Sequence, residues 1–396
     1  MDQTNGAAVV SAGQRLGATL RRHRAVAGLT QQALARQVGY SRSTIANAEA
    51  GDVRAGEFYR RCDATLHAGG AVTAAYLALA DPTAPTPPRA SPLLGVPVEE
   101  AIEYLRAHWH LLVRTDNLLG PATALPIALD LLALLAPLLR DASGPARTAL
   151  LSLSARYAET TAGLYQDAGR PEDATEWAGR ALEWGHEVDD ARAIAWALYR
   201  RSELHAAEGD APGVLSLARA ALRHGGELTA PMRAALHVQQ ARGHALAGDD
   251  QRCYERLGGA EELAAERECA GDASTGPGAF CARPWVAAQR GACALLLAAP
   301  ADAVPNLNAA LAGMAPVYRR DRGLVLGWLA EATARLGNWD DAERLAARSL
   351  AIGVATGSAR VCRQANAVRA LAPAERFASG GCTVSSECAR EHRTSQ

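Results

Sequence analysis

The chain contains no lysine; all 41 of its basic residues are arginine. That absence excludes a Walker-type phosphate loop, a Schiff-base lysine and a lysine general base. The plain reading of it is GC-rich coding, which would also enrich alanine and glycine. Aromatic residues make up only 5% of the chain, against 49% apolar residues overall, so alanine and leucine must pack most of the interior. With valine and isoleucine also scarce, close-packed helices are favoured over sheets. A signal peptide is lacking, since residues 1–12 have neither the apolar run nor the cleavage pattern. A clear membrane span is lacking too. The leucine-rich run Ala124–Leu139 is short for a bilayer and holds Pro126, Asp130 and Pro137, so it is expected to be a core helix. A cytoplasmic location away from any membrane follows as the expectation, and eight cysteines without tight pairing suit reduced thiols.

Catalytic and metal-binding patterns are missing as well. Cys382, Cys388 and His392 form C-x5-C-x3-H without a fourth ligand, which structural zinc requires. The histidines are scattered, with no nucleophile-His-acid set. Gly276-Pro277-Gly278 is too short to cradle a phosphate, and Pro277 removes a needed amide. Cys269 and Cys281 flank a Gly-rich insertion over 271–284 and read as two independent thiols rather than a regulatory disulfide. The expectation is a protein that binds and does not catalyse, with no cofactor and no metal.

What is present begins at residues 30–51. Leu34, Val38 and Ile45 are apolar at helical spacing, and Ala35 is small enough for two helices to approach. Gly39 sits where the chain must turn sharply. Thr30 and Ser41 each precede a helix as N-caps. The second helix then presents Arg42, Ser43, Thr44 and Asn47 around its first turns, side chains able to reach bases and phosphates. Over residues 1–68 nine arginines face five acids, so the acid excess lies in the remainder. A basic head on an acidic body suits a DNA-binding module with another kind of partner domain.

Beyond the head, Phe58 to Leu79 continue one helical stripe, broken at Gly69-Gly70. Six prolines between Pro82 and Pro97 make a stiff linker. From residue 98 the chain is helix after helix, and it repeats. Aligned on the turn positions Gly169, Gly209, Gly248, Ala299 and Gly337, the spacings are 40, 39, 51 and 38. Residues are small seven before each turn, small or medium five after, and small twelve after in four of five cases, as stacked helical hairpins require. Two helices over 98–140 serve as an N-terminal cap. On this frame the inner face of the first helices carries Arg156, Glu159 and Gln166, then Trp196, Tyr199 and Glu203, then Arg242 and Gln289. Polar and aromatic, this concave wall is the candidate effector site, with plain core packing as the alternative for Trp196 and Tyr199.

Residues 13–68 resemble the phage repressor-like (XRE) helix-turn-helix family at Leu16, Leu20, Arg24, Gly28-Leu29-Thr30-Gln31, Leu34-Ala35, Gly39, Ser41-Arg42-Ser43-Thr44-Ile45 and Glu49-x-Gly51. The resemblance implies base reading by Arg42, Ser43 and Asn47 and a phosphate contact by Gln31. Ala48 departs from it, where relatives carry a larger apolar residue, and looser packing of the second helix is expected. The body resembles the tetratricopeptide repeat at its small positions, though the period exceeds the usual ~34 residues. Together they look like high-GC bacterial regulators that join the two modules, some of which sense peptides.

The expected architecture is all-α, with a five-helix-type DNA-binding domain at 13–80 and a Pro-rich linker at 81–97. A tetratricopeptide-like α-solenoid follows at 98–376, then a disordered tail at 377–396. The expected function is a dimeric, sequence-specific transcriptional regulator on double-stranded DNA, answering to a peptide or small-molecule effector. The alternatives are a protein-interaction adaptor or an antitoxin-like partner that uses the repeats as a scaffold.

Overall fold

The computed structural model describes residues 12–52, 54–66, 68, 70–80, 93, 95–265 and 276–372. Most of the linker, the first part of the insertion with Cys269, and the tail with Cys382, Cys388 and His392 lie outside them. Among the described residues every regular element is a helix. The chain divides into two compact units, Met1–Leu94 and Gly95–Gln396.

The first unit holds α1 (Ala12–Val26), α2 (Gln31–Val38), α3 (Arg42–Ala50), α4 (Gly56–Thr65) and α5 (Ala71–Ala80). The expected caps form. Thr30 Oγ1 accepts from the Ala33 amide and Ser41 Oγ from the Thr44 amide, both at 3.1 Å. Between them Gly39 takes the left-handed conformation at φ 75°. Leu16, Leu20, Leu34, Val38, Ile45, Phe58 and Tyr59 close one core. The helical stripe breaks as anticipated between α4 and α5, where Asp63 accepts from the amides of Gly70 (2.7 Å) and Thr73 (2.8 Å). The looser packing expected at Ala48 does not occur. Ala48 is buried, and Gly17 lets α1 press directly on α3. A Cβ at Gly17 would stand 2.6 Å from the Glu49 carbonyl oxygen and 2.7 Å from that of Ala48.

The second unit opens with α6 (Val98–Leu119) and α7 (Pro121–Asp141). Five helical hairpins follow: α8 (Gly144–Asp167) with α9 (Pro171–Glu187), α10 (Ala191–Ala207) with α11 (Ala211–Leu222), α12 (Ala230–Leu246) with α13 (Asp250–Ala265), α14 (Arg283–Leu296) with α15 (Pro300–Gly313), and α16 (Arg319–Arg335) with α17 (Trp339–Thr356). Helix α18 (Ala359–Leu371) packs on the last pair. The first helix of each hairpin touches the first helix of the next, which stacks the pairs into a solenoid.

One turn corrects the repeat frame. Gly169, Gly209, Gly248 and Gly337 are left-handed, but in the fourth hairpin the left-handed residue is Ala298, at φ 56°, not Ala299. Moving the register back by one replaces Ala292, Val304 and Leu311 with Gly291, Ala303 and Ala310. All three are buried, and a Cβ on Gly291 would meet the Leu307 side chain at 2.5 Å. Small residues then occupy the helix contacts of this hairpin as they do elsewhere. The apolar run on α7 is also longer than its prolines suggested. The helix spans 21 residues, through Pro126 and Pro137, which makes it long and apolar enough to cross a bilayer. Here it packs against α6 and α8, with Ala124, Ala128, Leu131, Leu132 and Leu135 buried.

Nor do α6 and α7 simply cap an open end. Helices α16 and α17 lie against α6, α17 also touches α7, and α18 touches α8, so the solenoid closes on itself. The closure is backbone-tight. A Cβ at Gly120 would stand 2.2 Å from the Thr356 carbonyl oxygen, and one at Gly357 would stand 2.5 Å from the Ala122 Cβ.

Candidate functional sites in the two units

In the first unit the site is the outer face of α3. Ser41, Arg42, Ser43 and Asn47 are exposed and Thr44 is half-buried, while Ile45, Ala48 and Glu49 face inward. The hydroxyl of Ser41 is engaged by the cap and lies 2.8 Å from those of both Ser43 and Thr44. Arg42 and Asn47 are therefore the long polar side chains that the helix presents to solvent. The sequence frame missed what holds this helix in place. Glu49, 3% exposed, accepts from Arg24 Nε at 2.5 Å, Arg24 Nη2 at 2.9 Å and Gln31 Nε2 at 2.8 Å, and so ties α1, α2 and α3 together. Burial pushes its carboxyl up, but the hydrogen bonds from Arg24 and Gln31 and the Arg24 charge outweigh that and hold it below the usual range. Gln31, half-buried, thus spends its amide nitrogen on Glu49.

In the second unit the closed solenoid surrounds a cavity of about 410 Å³. Gln166, Trp196, Tyr199, Glu203, Arg242 and Gln289 all line it. Arg156 does not; its guanidinium lies over the Trp109 ring, 4.9 Å from the centroid. Trp196 and Tyr199 stack at 4.4 Å and also belong to a buried apolar cluster, so they serve both core and wall. Trp109, which does line the cavity, is fixed by a 2.9 Å bond from its indole nitrogen to Thr160 Oγ1. Residues 276–280 of the insertion form another part of the wall.

Two ion-pair chains cross this wall. In one, Arg200 reaches Glu159 at 2.8 Å and Glu203 at 3.8 Å, and Arg242 reaches Glu203 at 3.0 Å. Burial opposes charge on Glu203, but Arg242 and Arg200 prevail and hold it low; on Glu159 burial prevails and raises it. Gly163 makes room for the chain, since a Cβ there would stand 2.9 Å from the Arg200 guanidinium carbon. In the other, Arg320 of α16 bonds Asp116 of α6, Asp167 of α8 at 2.8 Å and Asp321 at 3.0 Å, while Arg360 of α18 meets Asp167 at 2.6 Å. This second chain joins the two ends of the solenoid. Burial pushes Asp116 up to about 6 despite Arg320. Among the described residues no cluster of metal-ligating side chains occurs.

Residues 15–76 match the helix-turn-helix domain family. The first unit is a helix-turn-helix domain, with α2 and α3 as its two motif helices. No curated protein matches the chain. Among solved structures, it is similar to the crystal structure of Bacillus thuringiensis PlcR in complex with the peptide PapR7 and DNA. Identity is 14% over 75% of this chain and 93% of that chain, with a TM-score of 0.38. The likeness is too distant to carry fold or function across.

Proposed function

We propose that this chain is a sequence-specific DNA-binding transcriptional regulator of the phage repressor-like kind, working in the cytoplasm as a homodimer under the control of an effector held in the solenoid cavity. The observation that carries the reading is α3, capped and anchored through Glu49, with Arg42, Ser43 and Asn47 exposed along it in a helix-turn-helix domain. A rigid helix with polar side chains at its N-terminal turns is what the major groove admits. Gln31 and the α2 N-terminus position it on a phosphate, and Ser41 and Thr44 shape its first turn.

Dimerisation is supported by α6. Tyr104, Leu111 and Leu118 recur every seven residues on one helix face and are 46%, 55% and 45% exposed. A second copy would cover this stripe, and two heads would supply the half-sites that specific affinity needs. The test is selection of duplexes from a random pool, followed by binding of the winner at several salt concentrations. Recovery of a two-half-site sequence, with affinity falling as salt rises, is expected. No enrichment over random duplex would instead favour the adaptor reading.

A further inference from the structure

The cavity described above has a composition of its own. The chain has seven tryptophans, and four of them, Trp109, Trp196, Trp285 and Trp328, line this one space together with Tyr199 and Phe280. Phe280 packs edge-on to Trp285 at 5.3 Å and lies 6.1 Å from Trp196, so Tyr199, Trp196, Phe280 and Trp285 form one run of rings. In a chain so poor in aromatics this concentration exceeds what filling a helix interface requires. The lining charges, by contrast, are already spent. Each lining carboxylate meets an arginine through the two ion-pair chains, and Arg363, the one lining guanidinium with no ion partner among the described residues, is exposed to solvent.

These facts disfavour two ligand classes. A phosphate-rich or other strongly charged ligand would have to break an existing pair or bury an unmatched charge, and either is costly. An extended peptide brings a donor and an acceptor with every residue, and the aromatic rings offer them no partner. The volume of about 410 Å³ falls in the range of small-molecule sites, ~300–1,000 Å³.

Resting on the effector-cavity reading, we infer that the ligand is a compact, flat, net-neutral aromatic molecule. Its rings stack on the aromatic wall.

The experiment uses the full-length protein and follows quenching of the cavity tryptophans. Three probes are compared: 2-aminoanthraquinone, anthraquinone-2-sulfonate with the same ring body plus a charge, and a pooled library of linear heptapeptides. The expected result is saturable quenching by the amine, binding of the sulfonate weaker by about tenfold or more, and no displacement by peptides. Val113→Phe, which narrows the cavity, and Trp328→Leu, which removes a ring, should each weaken the amine by about fivefold or more. Circular dichroism checks both folds, and if one variant unfolds the other decides. Sulfonate binding as tight as the amine, displacement by peptides, or quenching that neither variant changes would overturn the ligand class while leaving an effector site in place. No quenching by any probe, with DNA binding intact, would overturn the effector cavity itself.

Discussion

Removing the charge of Glu49 while keeping its shape isolates what anchors the DNA-facing helix. Because the folded protein holds this carboxyl below its usual range, its stabilising contribution is full above the ordinary pKa of about 4.3 and drains away as pH falls through that value and below. Glu49→Gln should therefore cost about 2 kcal/mol near neutral pH and progressively less as pH is lowered through the carboxylate range, read from hydrogen exchange of the α1–α3 amides. A penalty that persists undiminished in acid would show that packing, not charge, matters there. Arg42→Ala should leave this stability untouched, because the side chain is exposed and lies on the outer face. Its loss should appear in DNA binding, about 1–3 kcal/mol with preference relaxed at one base pair per half-site. Wild-type affinity and preference in that variant would place the reading surface elsewhere.

At the level of elements, the turns make a controlled comparison possible. Gly120 and Gly209 both have positive φ, at 84° and 77°, but a Cβ at Gly120 would strike Thr356 whereas one at Gly209 meets nothing within 4 Å. Alanine at Gly209 should cost roughly 1 kcal/mol of backbone strain. At Gly120 the cost should be several-fold larger, seen as a lower denaturant midpoint; equal costs would mean that the α6–α7 turn does not bear on α17. The same turns explain how much could be read from sequence. Glycine marked four of the five hairpin turns because it alone takes positive φ cheaply, and the small positions around those turns then fell into register. The fourth turn uses Ala298, which carries no such mark, and the frame slipped by one residue there. Capping and apolar spacing revealed the helix-turn-helix because its determinants lie within one turn of each other. Glu49 with Arg24, or Arg320 with Asp116, could not be found that way, since partners 25 and 204 residues apart leave no local trace.

Across the whole second unit, Arg320 is the residue on which both ends converge. Arg320→Met should leave Asp116 and Asp167 buried with less compensation and cost about 3–5 kcal/mol. Amides of α6 and α18 should then exchange faster than those of α12, which is remote from the junction; uniform loss would mean that the closure does not open separately. Fragment 95–372 should form a dimer by light scattering, and Leu111→Asp should convert it to monomer. A monomeric wild-type fragment would move the dimer contact to the head.

Open repeat arrays tolerate gain or loss of a unit, because each unit leans only on its neighbours and the ends are free. A loop of stacked hairpins that meets its own beginning has no such freedom. Deleting the α12–α13 hairpin would carry Arg320 and Thr356 away from Asp116 and Gly120, however well the remaining interfaces fitted. The number of hairpins is therefore a closed quantity, fixed by circumference, and unit duplication is not an available route by which this chain could enlarge its chamber.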